Sequence, residues 1–386
     1  MISASSSARR STAGFGLVEV MVGLVIAMLG IIIMMQVTTI FGAQKRTSSG
    51  GNEALSTGAI VMYNLQRELG LAGYGVANYA LMGCDVQLLN PASQTLPAIA
   101  PVTINHGSIP AGDAGTDTIL IAYTRSDKQT QGSLISAHLN TATYGVQNPA
   151  TFSVGEVVLA QPPYSTALRP ACTAGNKFTM DTVASINTTG LNVTTTNGSP
   201  VFTVNSGGAT TAILYDFGMS TQIVIQAYAI RNSILTRCDL MLSDCFSAGS
   251  TSNSAIWVPI ADNIVGMRAQ YGVDTNNPEA SVSQSYVAVS YQSTPIPSSN
   301  PLGLSATGLN SNCMWARVPA VRIALVARNN QLEKTVVTQN PLTWAGSATS
   351  PIDLSANANW QNYRYAVFET TIPLRNSGWI GVQPGC

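Results

Sequence analysis

One carboxylate is set apart by its surroundings. Glu19 is the only ionisable side chain in residues 15–43, FGLVEVMVGLVIAMLGIIIMMQVTTIFGA, and no polar side chain occurs between Val20 and Met35. A charge near the start of an apolar helix is costly, so Glu19 either reaches a water interface or meets a positive charge from a neighbour. Thiol chemistry is the second resource, in Cys84, Cys172, Cys238, Cys245, Cys313 and Cys386. No two of them form a C-x-x-C pair, and the short spacing that structural zinc needs is absent. An even number spread over the chain reads as up to three disulfides made in an oxidising compartment, against six buried thiols in a reducing one. Only Cys238 and Cys245 are close in sequence, and they could close a loop over residues 239–244.

The remaining candidates are weaker. Asp274, Asn276 and Glu279 offer oxygen at alternating positions, as calcium prefers, but the loop lacks the middle acid and the turn glycine, so no metal is expected. Asp113 and Asp117 sit in a Gly/Ala/Thr segment and read as solvated turn residues. Two histidines, His106 and His138, leave little material for imidazole catalysis. A nucleophile elbow, a P-loop, a dinucleotide fingerprint and H-E-x-x-H are all missing, so neither an enzyme nor a cofactor is expected.

Composition narrows the class further. Lys plus Arg equals Asp plus Glu at 18 each, which argues against a nucleic-acid-binding surface or an acidic tail. Charged residues make up 9% of the chain, against about 25% in ordinary soluble domains. Hydrophobic residues make up 45%, enough for a sizeable core, so Ser, Thr, Asn and Gln must cover the surface, as on many exported proteins.

These residues need elements to place them. At about 1.5 Å per residue, 15–43 is more than long enough to cross a hydrocarbon core of about 30 Å. Arg9 and Arg10 precede it and no other Lys or Arg follows before Lys45, which orients the N-terminus to the cytoplasm and exports the rest. A cleaved secretory signal and a plain anchor both remain open. The apolar run is long for the first, and Glu19 is unexplained by the second. Thr47-Ser48-Ser49-Gly50-Gly51 reads as a flexible break. Beyond it Leu55, Ala59, Met62, Leu65, Leu69 and Ala72 recur every three to four residues and predict an amphipathic helix ended by Gly73 and Gly75.

From residue 76 the chain turns to Gly, Ser, Thr, Asn and Pro with short β-rich runs. Strands are expected at 118–123, 156–160, 177–186, 191–195, 201–204, 211–217, 222–231, 264–271, 318–327 and 363–373. Asn197-Gly198 reads as a tight turn, and 91–110 and 293–312 as long loops. The expected fold is α+β: a long N-terminal helix packed on a large, mostly antiparallel β body, with room for two sheets.

Taken together, the basic leader, Gly14-Phe15-Gly16-Leu17-Val18-Glu19 and the apolar helix resemble the type IV prepilin signal. The resemblance implies a leader at 1–14, a transmembrane and assembly helix at 15–75 and an exported body at 76–386. It implies that prepilin peptidase cuts between Gly14 and Phe15 and N-methylates Phe15, leaving Glu19 fifth in the mature chain. There the amine of one subunit could pair with Glu19 of a neighbour. Gly16 stands where Thr or Ser is usual, and no proline occurs in 15–43.

Several further stretches resemble the PilW family of minor pilins. They are Gly58-Ala59-Ile60, Leu65-Gln66-Arg67-Glu68-Leu69 through Gly75, Gln270-Tyr271-Gly272-Val273-Asp274, residues 321–328, and residues 363–376. The implied fold is pilin-like. The implied role is a minor subunit of a type IV pilus that primes assembly and stays near the fibre tip. Implied partners are minor pilins of the PilV, PilX and FimT/FimU type, the major pilin and a large tip adhesin. A minor pseudopilin of a type II secretion system shares the signal and the bulk. A membrane-anchored periplasmic binding protein or hydrolase is the alternative from another class.

Overall fold

Residues 17–71 meet the requirements of a helix almost throughout, and Leu17–Leu71 form a single one, α1, of 55 residues. The expected break at 47–51 does not interrupt it. Two glycines cost about 1 kcal/mol each in a helix interior, too little to stop a ladder continued by good formers on both sides. The computed structural model describes Gly14 and residues 16–78, 81–89, 93–128, 132–163, 177–204, 212–274, 289–294 and 315–378. The chain divides into two compact units, Met1–Asn52 and Glu53–Cys386.

Among the described residues, the second unit holds three sheets. In the first, six strands close on themselves: β5 (Ser133–Asn140), β6 (Thr143–Val146), β7 (Glu156–Gln161), β8 (Phe178–Asn187), β9 (Asn192–Thr195) and β10 (Ile213–Met219). Their order is β8-β7-β10-β5-β6-β9, and β9 pairs back onto β8. This is a barrel, which removes the sheet edges. The two-sheet expectation missed it, because closure depends on pairings between strands distant in sequence. Ile135, Tyr144, Val146, Val158, Val183, Val193 and Leu214 form one buried cluster within it. Two short strands, β1 (Val86–Gln87) and β2 (Thr95–Leu96), extend the sheet from β8.

The second sheet has order β13-β12-β11-β4-β3, with β3 (Val102–Ile104), β4 (Ile119–Thr124), β11 (Ile223–Arg231), β12 (Ile234–Asp239) and β13 (Val258–Asp262). Its central strands β4 and β11 are buried on both faces. One face joins Val157, Leu159, Tyr215 and Phe217 of the barrel wall; the other joins the helix. The third sheet, β15-β14-β16-β17, comprises β14 (Ile264–Asp274), β15 (Val289–Gln292), β16 (Ala320–Arg328) and β17 (Tyr365–Pro373). All its pairings are antiparallel. Alternation sorts its residues: Val321, Ile323 and Leu325 face the helix core, whereas Ala324 and Val326 pack under Trp344, Ile352 and Leu354.

Nine of the expected strands are present. Residues 201–204 are not a strand, and the expected loop at 91–110 contains β2 and β3. In the expected loop at 293–312, residues 295–312 lie outside the described residues.

Candidate functional site: the N-terminal helix and its seat

The N-terminal unit carries Gly14 and Glu19. Gly14 precedes the helix, and Phe15 lies outside the described residues. Glu19 is in the first turn of α1, where its amide donates to the Gly16 carbonyl at 2.9 Å. A carboxylate there is favoured by the positive end of the helix dipole. Leu17–Thr39, 23 residues, is long and apolar enough to cross a membrane, and its side chains are exposed. Thr38 Oγ1 donates to the carbonyls of Met34 and Met35, and Thr39 Oγ1 to that of Gln36, so both hydroxyls are satisfied within the helix.

Residues 53–72 belong to the second unit, and their seat is built from distant parts of the chain. The buried stripe is Ala54, Gly58, Val61, Met62, Leu65, Leu69 and Ala72. This corrects the expected face at two positions, since Leu55 and Ala59 are exposed. The choice between neighbouring stripes is made by shape. Gly58 faces Phe368 of β17, and a Cβ there would lie 2.7 Å from Cδ2 and 2.8 Å from Cζ of the ring. Met267, Ala269, Tyr271, Val321, Ile323 and Leu325 of the third sheet complete this core with Ile119, Ile121 and Val224 of the second. Each fully buried Leu, Ile or Val contributes about 1.5–3 kcal/mol.

Polar contacts fix the helix end. Tyr123 Oη donates to Glu68, and Arg125 donates to Tyr123 Oη at 3.0 Å. Burial, and then the hydrogen bond to Glu68, pushes the Tyr123 phenol up to about 12. Gly73 takes φ +84°, and its amide donates to the Ala122 carbonyl at 2.8 Å, joining the helix exit to β4. Asn376 Nδ2 donates to the carbonyls of Leu71 and Ala72 at 3.2 and 3.1 Å. Helix-end carbonyls lack intrahelical donors, so a residue 305 positions away serves as the cap.

Asp117 is not the solvated turn residue expected, whereas Asp113 is half-buried at a turn. Asp117 is buried; it accepts from Arg268 at 3.2 Å, from the Ala269 amide at 2.9 Å and from Asn105 Nδ2 at 2.9 Å. It thereby ties the second sheet to the third. Asp113 accepts the amides of Asn232 and Ser233 at 2.9 and 2.8 Å and so holds the β11–β12 turn. Chain reversal brings these groups together, and no local signal marked them.

Cys238 and Cys245 are joined by a disulfide with Cα atoms 5.9 Å apart, fully buried beside Trp257. Asp239 orders the enclosed loop by accepting the Met241 amide at 2.9 Å, and Asp244 holds the chain just past the bridge by accepting the Phe246 amide at 3.0 Å. Cys84 is buried and also disulfide-bonded. Cys172, Cys313 and Cys386 lie outside the described residues, as do Asn276 and Glu279. The Asp274 amide donates to the Arg317 carbonyl at 2.9 Å. Among the described residues, no three His, Cys, Asp or Glu are grouped to hold a metal ion.

Residues 227–376 match the family model described as type IV pilus-assembly protein W, PilW. No curated protein and no solved structure matches the chain. The matched segment runs from within β11 through the whole third sheet and ends on Asn376, the cap of α1. The body is PilW-like over that segment, and strands β5 to β10 of the barrel lie outside it.

Proposed function

We propose that this chain is a minor pilin, a non-enzymatic subunit that helps prime a type IV pilus and remains near its tip. The carrying observation is one of co-occurrence. An apolar helix of membrane-crossing length, with Glu19 in its first turn, precedes a segment matching a type IV pilus-assembly family. In this reading prepilin peptidase removes residues 1–14 and methylates Phe15. The helix then holds the precursor in the inner membrane with the body on the periplasmic side. Assembly partners are other minor pilins of the PilV, PilX and FimT/FimU type, the major pilin and a tip adhesin. The size of the body supports the tip, because a large domain on one helix is hard to repeat along a tightly packed fibre.

Mass spectrometry of the mature N-terminus tests this reading. The expected product begins with N-methyl-Phe15. A terminus at Met1, or one beyond residue 43, would overturn it. Substitution of Gly14 by even a small residue is expected to block processing, because cleavage at a membrane face needs a position without a side chain.

A further inference from the structure

A cluster on the barrel, away from the helix seat, is built around His138. The imidazole stands on β5 and is buried. It stacks on Tyr144 of β6, with ring centroids 4.5 Å apart and planes at 19°. The Phe202 ring covers it from another side, 4.4 Å away at 52°. Phe202 belongs to residues 197–204, which follow β9 and lie along the β5–β6 turn. Phe202 and Val204 pack against the buried cluster of the barrel.

This segment is tied to the barrel in sequence order. Asp181 of β8 accepts the amides of Asn197 and Gly198. Gly198, at φ +79°, passes so close to the Thr141 carbonyl that a Cβ there would collide with it. The Ser199 amide donates to the Thr141 carbonyl at 2.8 Å, and Ser199 Oγ lies 2.8 Å from Tyr144 Oη. Past Ser199, the Phe202 amide donates to His138 Nδ1 at 3.2 Å.

The last bond depends on the protonation of the ring. A ring nitrogen that accepts carries no proton, so Nδ1 is bare and the neutral ring holds its proton on Nε2. Nε2 is buried without a hydrogen-bond partner. A second proton, on Nδ1, would remove the acceptor and point one N–H at another. It would also place a cation in a buried site. Strands β5 and β6 and residues 199–204 carry no Asp, Glu, Lys or Arg, so no carboxylate on them compensates it.

We infer that His138 is an acid-sensitive latch: its neutral ring holds residues 199–204 on the barrel, and a proton on Nδ1 releases them. The titratable groups on neighbouring elements are Tyr144 of β6 and Asp181 of β8. The Tyr144 phenol is raised by burial and stays neutral in acid. Asp181 holds the start of the segment and not Phe202.

The sign follows from linkage. Burial lowers the affinity of His138 for a proton and outweighs the carbonyls of Thr141 and Asn140, which favour the charged ring. A released ring titrates near its ordinary 6.5 and a latched one below it. Closure is therefore fully present above about 6.5 and weakens as pH falls below that value.

The test uses the full-length protein in detergent micelles, with isotope-labelled histidine. Two histidines give two ring signals, and His106→Gln assigns them. At about pH 8 the His138 ring is expected as the neutral Nε2–H tautomer. Below 6.5, exchange of the amides in 201–204, corrected for intrinsic rate, is expected to accelerate by up to about tenfold per pH unit, in step with titration of the ring. Amides of Ile121 and Ile225 in the second sheet should not follow. The acceleration should vanish in His138→Phe, which keeps a ring, and in His138→Asn, which keeps an acceptor. If neither variant folds, the wild-type tautomer and the coincidence of the two titrations still decide. An Nδ1–H tautomer at neutral pH, ring titration without a change in exchange, or acceleration that survives in His138→Phe would each overturn the inference. So would acceleration shared by Ile121 and Ile225, which would report unfolding of the whole body.

Discussion

Phe368 lies on the spot that a side chain at Gly58 would occupy. The ring comes from β17, 310 positions away along the chain, and a Cβ at Gly58 would meet three of its atoms. Glycine here has a steric reason and not a conformational one, since the position is helical. Alanine would improve helix propensity by about 1 kcal/mol. The rigid ring would still have to leave its place, and overpacking of this kind costs about 1–3 kcal/mol. Gly58→Ala is therefore expected to lower the unfolding midpoint, with Phe368→Leu in the same chain restoring it. A single variant as stable as wild type would show that the ring moves freely.

Asp117 makes a sharper stability prediction. It meets Arg268 and the Ala269 amide in a buried setting, and the Arg268 side chain is itself only 17% exposed. Removing one partner strands the other, at a cost of about 3–5 kcal/mol. Asp117→Ala should unfold at clearly lower denaturant than wild type. Asp117→Asn keeps an oxygen for the Ala269 amide and should lose less. Equal losses would mean that the charge facing Arg268 carries the whole effect and that the oxygen kept for the Ala269 amide contributes nothing.

The helix, its end at the glycines and the longest strands were legible because each is written locally, as period or as punctuation. The apolar run and Glu19 needed no partner to be recognised. The face of 53–72 was read nearly correctly but rotated at Leu55 and Ala59, because Gly58 carries no hydrophobic signal and is chosen by Phe368. The barrel was not legible. Its β5, Ser-Leu-Ile-Ser-Ala-His-Leu-Asn, mixes polar and apolar residues, and the closure of β9 on β8 is a pairing that period cannot express. β13 contains Pro259, a residue that disfavours a strand interior, and it lies at a sheet edge where proline is tolerated. Asn376 could be read only as part of a family-like ending; its role as a cap requires the helix end to be beside it.

The Cys238–Cys245 bridge encloses a short loop, so its effect on the unfolded chain is modest. Chain-entropy arguments give about 2.5 kcal/mol for a loop of this size. Cys238→Ser with Cys245→Ser should lower stability by about that amount while leaving the fold intact, as judged by circular dichroism. Alkylation of native protein without reductant should label two thiols or fewer. Labelling of all six would remove the oxidising compartment from the proposed localisation.

Glu19 separates assembly from anchoring. It lies in the first turn of an apolar helix, at the fifth position of the proposed mature chain. Alone in the bilayer it can reach the interface, but once helices bundle that route closes. An uncompensated carboxylate there would cost about 2.5–3.5 kcal/mol. The N-terminal amine of a neighbouring subunit can offset this only inside an assembled complex. Glu19→Val makes the segment more apolar, so membrane insertion should persist. Cleavage after Gly14 should persist as well, because the scissile bond is unchanged. Capture by the other minor pilins, read by co-purification, and incorporation into sheared pili should both fall. A variant that is cleaved, stable and incorporated as well as wild type would reduce Glu19 to an interfacial residue and remove the charge pair from the mechanism of this subunit.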